Sequence, residues 1–226
     1  VKYDGNTLTE GTDYEIVYEN GVTPKDAGTY NYTIKGKGQY AFEKTGSFTI
    51  DPIKYSIVTN SKTKDYDGSA LTAGGSISYN GQTVETSGNT TITFEGVGEN
   101  GETAQFNITG SQKEAGTSDN TYVMKFKDDV AGLTAKNSNY TLDTESIGKL
   151  TVNPLYHITV INPSKGDVTI STKNEGGTAV IDVAEGTKVY LSNTTPSEGY
   201  ESSVTFDVKD KDGNTVEVKT DAGGIY

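Results

Sequence analysis

Apolar side chains recur at every second position in short runs along this chain, and no window sustains the three-to-four spacing of an amphipathic helix. From Thr29 to Lys35, Tyr30, Tyr32 and Ile34 alternate with Asn31, Thr33 and Lys35, the pattern of a strand with one buried face. Residues 15–18, 55–60, 91–96, 104–109, 122–126 and 149–152 read as strands in the same way. Further on, residues 156–161, 168–170, 179–183, 189–191, 204–208 and 216–218 do so again. The last two flank Lys211-Asp212-Gly213-Asn214, a hairpin signal, because Asp-Gly accepts the positive φ angles of a tight turn. Turn residues fill Glu19 to Pro24 and the glycine-rich Gly96 to Gly101. The pattern predicts an all-β chain.

Part of this pattern is repeated. Tyr3-Asp4-Gly5-Asn6-Thr7-Leu8-Thr9-Glu10-Gly11 returns as Tyr66-Asp67-Gly68-Ser69-Ala70-Leu71-Thr72-Ala73-Gly74. Lys25-Asp26-Ala27-Gly28-Thr29-Tyr30 returns as Lys113-Glu114-Ala115-Gly116-Thr117. Gly46-Ser47-Phe48-Thr49-Ile50-Asp51-Pro52 returns as Gly148-Lys149-Leu150-Thr151-Val152-Asn153-Pro154. Three landmarks in one order make two copies of a unit, the mark of a modular array. The second copy is longer between its first two landmarks, and residues 91–96 and 104–109 read as an inserted hairpin there.

The landmarks divide the chain at its prolines. Residues 1–54 form a first module, 55–154 a second, and 155–226 a third of a different kind. The seams at Asp51-Pro52 and Asn153-Pro154 are short, and proline fixes φ and holds its predecessor extended, so adjacent modules are expected to swing little. The strand-like Tyr55-Ser56-Ile57-Val58-Thr59-Asn60 precedes the second copy's opening motif, and the first copy has no such prelude. The first module is therefore expected to be truncated, the chain being a fragment of a longer protein.

Only 32% of residues are hydrophobic, so each core must be thin. Tyrosine supplies much of it, 15 Tyr against 6 Phe and no Trp; its ring packs inward while its hydroxyl reaches water. Without cysteine there is neither a disulfide nor a thiolate metal site, so strand pairing and packing must hold the fold. The net charge is −12, and every basic residue is Lys. That balance argues against nucleic-acid binding, which needs phosphate neutralisation, and opposes docking on an anionic membrane. No apolar run is long enough to span a bilayer, so no membrane insertion by this stretch is expected.

Catalytic chemistry finds little support. His157 is the sole histidine, set in an alternating strand at a seam with no nucleophile elbow elsewhere, and a plain strand residue is the better reading. Asp210, Asp212 and the adjacent Asp128 and Asp129 are the calcium candidates. In Asp210-x-Asp212-Gly213 the glycine comes too early for a helix-loop-helix calcium loop, so a hairpin tip and solvated loop acids fit better. No cofactor is expected. Two readings of Asp26-Ala27-Gly28-Thr29-Tyr30 stand side by side: a tyrosine corner, or a hairpin turn followed by an ordinary core tyrosine.

At these motifs the chain resembles the repeated extracellular modules of Gram-positive surface proteins called MBG or bacterial Ig-like domains. Gly38-Gln39-Tyr40 and Ser138-Asn139-Tyr140 supply a further element of that pattern. In the last module, Gly186-Thr187-Lys188-Val189-Tyr190-Leu191 and Pro196-Ser197-Glu198-Gly199-Tyr200 resemble internalin-type repeats with a β-grasp-like fold. The resemblance implies tandem small β modules, Ig-like sandwich or β-grasp-like, arranged end to end. It implies a cell-wall-attached, extracellular stalk or adhesin, monomeric and non-catalytic, with Tyr3, Asp4, Gly5, Asp26, Gly28, Tyr30, Tyr66, Asp67, Gly68, Gly116, Gly199 and Tyr200 as structural positions. A host glycan or matrix protein is the partner of the alternative, binding reading. Some such modules carry Lys–Asn isopeptide crosslinks beside a buried acid, and Lys149 is the candidate donor here.

Overall fold

A computed structural model describes residues 1–159, 168–172, 180–193, 208–209 and 213–216. Among these the chain is almost wholly β, interrupted by 3-10 turns at Glu19–Gly21 and Asn137–Asn139. It forms two compact units, one of Val1–Val58, Gly74–Ile108 and Tyr122–Ser146, the other of Thr59–Ala73, Thr109–Thr121 and Ile147–Tyr226.

The first unit begins with β1 (Lys2–Tyr3) and β2 (Asn6–Thr7), an antiparallel pair joined by Asp4 and Gly5. Both loop residues have positive φ, 46° and 81°, as a type I′ hairpin requires. Next come β3 (Tyr14–Tyr18), β4 (Gly28–Gly36) and β5 (Glu43–Ile50), an antiparallel sheet in that order. Register places Tyr18 opposite Tyr32, Tyr32 opposite Gly46, and Tyr30 opposite Phe48, so these rings share a face. The Phe48 ring lies 5.7, 6.2 and 6.3 Å from Tyr30, Tyr32 and Tyr18. Within residues 1–54 only Leu8 and Tyr14 are buried hydrophobics, so this sheet is one thin layer.

Residues 53–153 supply β6 (Ile53–Thr59), β7 (Lys62–Asp65), β8 (Gly75–Tyr79), β9 (Gln82–Thr86), β10 (Asn89–Phe94), β11 (Glu102–Ile108), β12 (Gly116–Asp119), β13 (Tyr122–Lys125), β14 (Tyr140–Ser146) and β15 (Lys149–Asn153). In the first unit the sheets β14-β6-β8-β9 and β10-β11-β13 share one interior. Alternation decides which side chains enter it: Tyr55 and Ile57 from β6, Ile77 and Tyr79 from β8, Ile92 and Phe94 from β10, Ala104 and Phe106 from β11. β14 runs parallel to β6, with a bulge between Leu142 and Thr144. In the second unit β12-β15-β7 form a sheet over Leu71, Leu150 and Val152, with Tyr66 and Ala73 against them. The fully buried Asn120 donates from Nδ2 to the carbonyls of Asn60 (3.0 Å) and Ala73 (3.3 Å) there.

The remaining described strands are β16 (Leu155–Thr159), β17 (Val168–Ser171), β18 (Val180–Ala184), β19 (Tyr190–Asn193), β20 (Val208–Lys209) and β21 (Thr215–Val216). They pair as β18-β16-β20-β21 and β17-β19. Gly213, at the expected hairpin, has φ 83°.

Strand register carries the repeat further than the motifs do. In β4 and β5, Gly28 pairs with Ile50, Thr29 with Thr49 and Tyr30 with Phe48. In β12 and β15, Gly116 pairs with Val152, Thr117 with Thr151 and Ser118 with Leu150. The threonine hydroxyls meet across the strands in both copies, at 3.0 Å and 3.1 Å. Gly28 and Gly116 share a φ that side chains avoid, 151° and 138°. β11 then stands to β13 as β3 stands to β4. Ile108 faces Tyr122 where Ile16 faces Ile34, and the buried Phe106 takes the place of the buried Tyr14. The hairpin expected over residues 91–109 does form, as β10 and β11, but only β10 is additional. Between its opening motif and β11 the second copy adds β8, β9 and β10. All of these runs alternate alike, so their pattern could not say which was the repeat's own.

Gly28→Ala and Gly116→Ala are each expected to cost about 1–3 kcal/mol, the strain of a side chain in that backbone region. Urea unfolding of the two variants checks this, and an unchanged midpoint in either would contradict the shared geometry.

Candidate functional site

The most elaborated polar cluster among the described residues surrounds the Asp-Ala-Gly turn of the first copy. Tyr30 leaves this turn on β4 and donates its hydroxyl back to the Asp26 carbonyl at 2.8 Å, the fold-back bond of a tyrosine corner. The Asp26 carboxylate accepts from Asn139 Nδ2 at 2.9 Å through Oδ1 and from Lys136 Nζ at 2.9 Å through Oδ2. Asn139 Oδ1 in turn accepts the Ala27 backbone N–H at 2.9 Å. One amide side chain thus serves both the carboxylate and the backbone of the turn.

Local structure explains why Asn139 is available. It closes the 3-10 turn of Asn137–Asn139, its own N–H bonded to the Lys136 carbonyl at 2.9 Å. The next residue, Tyr140, is buried, its ring 4.2 Å from Phe94 and 5.8 Å from Phe126. Its hydroxyl donates to Glu102 Oε2 at 2.9 Å. Tyr140 therefore anchors the turn in the core while its neighbour Asn139 faces Asp26. Hydrogen bonds from Asn139 and then Lys136 hold the Asp26 carboxyl below its ordinary range.

In the second copy the Asp26 position is Glu114, and a separate polar cluster forms at the other landmark, Tyr66-Asp67-Gly68. Asp67 Oδ1 accepts Ser69 N–H at 2.8 Å, Ser69 Oγ at 2.7 Å and Lys64 Nζ at 2.5 Å, which hold its carboxyl far below the usual range, the lysine contributing most. Gly68 has φ 76°, and Tyr66 donates its N–H to the Asn153 carbonyl at 2.9 Å. Ser118 replaces the corner tyrosine, and its buried hydroxyl has no hydrogen-bond partner among the described residues. Tyr3 instead stacks on Phe42, ring centroids 5.5 Å apart.

The other candidates stay separate. Asp129 Oδ2 accepts the Phe126 N–H at 2.8 Å, capping a loop, and Asp128 is exposed beside it. No group of three potential metal ligands occurs among the described residues. Asp210, Asp212, Gly199 and Tyr200 lie outside the described residues. His157 Nδ1 meets Asp182 Oδ1 at 2.7 Å as a cross-strand pair of β16 and β18, with both side chains more than half exposed. Lys149 Nζ lies 2.5 Å from Asp119 Oδ1, and these side chains are 62% and 50% exposed. The partner within reach of Lys149 is thus an exposed aspartate and not an asparagine in a dry interior. A hollow beside β3–β5 is lined by Val17, Tyr32, Thr33 and Thr45, with Glu19 and Lys35 as its charged groups.

Sequence reasoning singled out Asp26, Gly28 and Tyr30 but not Lys136 and Glu102. The Ser138-Asn139-Tyr140 motif was visible; which turn Asn139 would meet was not. The chain matches no family model, no curated protein and no solved structure.

A double-mutant cycle on Asp26→Ala and Asn139→Ala is expected to give a coupling of about 0.5–1 kcal/mol, the worth of a part-exposed, charge-assisted hydrogen bond. Because the folded pKa of Asp26 is depressed, its contribution is present above the unfolded pKa of about 4 and is lost as pH falls below it. The stability gap between the parent and Asp26→Ala should therefore close on acidification, and a gap that persists to low pH would contradict the clamp.

Proposed function

We propose that this chain is a non-catalytic structural segment, a stalk or spacer, of a bacterial cell-surface protein. The observation that carries the reading is the clamp. A spacer must resist bending where one repeat follows another, and here the turn of the first copy is gripped by Asn139 and Lys136 of the second. Among the described residues, Asp26, Lys149 and His157 close on Asn139, Asp119 and Asp182. Tyrosine use points the same way: Tyr14, Tyr55, Tyr79 and Tyr140 are buried, and Tyr79 and Tyr140 spend their hydroxyls on Thr93 and Glu102. An acidic surface keeps a secreted segment apart from its neighbours. Extracellular location and attachment to the cell wall through the parent protein follow from the motif resemblance. Small-angle scattering tests the reading: an elongated, monomeric particle is expected, and a compact sphere would contradict it.

A second reading rests on one observation. Tyr18, Tyr30, Tyr32 and Phe48 share a sheet face, with Phe48 37% exposed, and an aromatic face of this kind can stack on a sugar ring or receive a protein partner. As a spacer the chain is expected to give no saturable binding on a glycan array or to host matrix proteins. A saturable signal lost in Phe48→Ala would favour the adhesin role instead.

A further inference from the structure

Two sheet edges of the first unit border one hollow. β9 ends the sheet β14-β6-β8-β9 and β10 begins the sheet β10-β11-β13, and among the described residues the two do not pair with each other. They meet where Thr86 Oγ1 lies 2.5 Å from Thr90 Oγ1. Beyond that contact is a hollow of about 500 Å³, lined by Thr83 and Val84 of β9, Thr91 and Ile92 of β10, and Tyr79 and Glu95.

Antiparallel pairing fixes which backbone groups β10 offers to this hollow. The Ile108 N–H donates to the Gly88 carbonyl at 3.3 Å, so even-numbered residues of β10 turn their N–H and C=O towards β11 and odd-numbered ones turn theirs outward. The Tyr79 hydroxyl, reaching from the other sheet, donates to the Thr93 carbonyl at 2.6 Å, which agrees with that direction. Thr91 thus presents an N–H and a C=O at the edge, and Thr93 an N–H. From Asn89 to Phe94 this edge has no charge, no proline and no bulge, the devices that usually guard one. Its surroundings are acidic. No Lys, Arg or His occurs between Lys64 and Lys113, and Glu85, Glu95 and Glu99 are exposed, with no ion pair among the described residues including them. The first lysine along the ladder from Thr91 is Lys125, opposite Gln105 and so two strands in from the edge.

We propose that the β10 edge takes up an extended, basic peptide segment of a partner protein as an added strand, its main chain bonded to Thr91 and Thr93 and a cationic side chain beside Glu95. Backbone groups supply the attraction, as in strand addition generally. Alternate side chains of the added strand turn inward over Val84 and Ile92, so a segment alternating basic and small apolar residues fits best. Charge selects the occupant, because a second copy would bring its own Glu85, Glu95 and Glu99 to the same edge. The inference does not rest on the spacer reading.

The probe is an acetylated, amidated Lys-Val-Lys-Val-Lys peptide titrated into the full chain, with a Glu-Val-Glu-Val-Glu peptide as control. Saturable binding of the lysine peptide alone is expected, slowing amide exchange at Thr91 and Thr93 about tenfold or more. Thr91→Pro removes an outward N–H and spares the β10–β11 ladder, so it should abolish binding while the β11 amides stay protected. Glu95→Gln, which leaves the backbone untouched, should weaken binding about twofold to fivefold, the worth of an exposed ion pair. No saturable binding, equal binding of the glutamate peptide, slowed exchange on β9 instead of β10, or insensitivity to either substitution would overturn the proposal. So would a concentration-dependent dimer of the chain with Thr91 and Thr93 already protected, which would make a second copy the occupant.

Discussion

The pairing between the strand that leaves the Ala-Gly-Thr turn and the strand that closes each repeat is what the rest of the described structure depends on. A glycine at φ 151° or 138° lets the chain leave the turn directly into a strand. The following threonine meets a threonine across the ladder in both copies. Such a pair is worth only about 0.2–1 kcal/mol, so its importance is positional. A slip of one residue would turn Tyr30 and Phe48, or Leu150 and Val152, to the opposite face of their sheets. With the register set, alternation alone decides which side chains point inward.

The two copies build on that pairing with unequal material. The first copy stays one layer thick and stacks aromatic rings around Phe48, whereas the second copy's added strands help enclose Phe94 and Phe106 completely. In a chain only 32% hydrophobic, Tyr79 and Tyr140 can be buried because their hydroxyls are bonded to Thr93 and Glu102. Burial and then the Glu145 and Glu102 hydrogen bonds raise Tyr122 and Tyr140 well above the ordinary phenol range, so both hydroxyls remain donors across physiological pH. The described ion pairs, by contrast, lie mostly in water and contribute little to stability.

Much of this was legible in the sequence wherever local pattern decides structure. Period-two alternation located most strands, and the Asp4-Gly5 turn and the Tyr30 fold-back rest on residues whose neighbours are close in sequence. Contacts made by distant segments were hidden. Nothing near Asp26 announces Asn139, more than a hundred residues away, because hydrogen-bond complementarity between distant loops leaves no periodicity. The parallel pairings of β6 with β14 and β7 with β15 were equally invisible, since strand alternation carries no sign of direction or partner. For the same reason the repeat's own strand β11 could not be told from an inserted one until register aligned Ile108 with Ile16.

Cross-strand nuclear Overhauser contacts in solution test the common register most directly. Backbone contacts joining Thr29 to Thr49 and Thr117 to Thr151, in one spectrum of the intact chain, are the expected result. Contacts displaced by one residue in either copy, or present in one copy and missing in the other, would contradict the claim that both repeats are built on the same ladder.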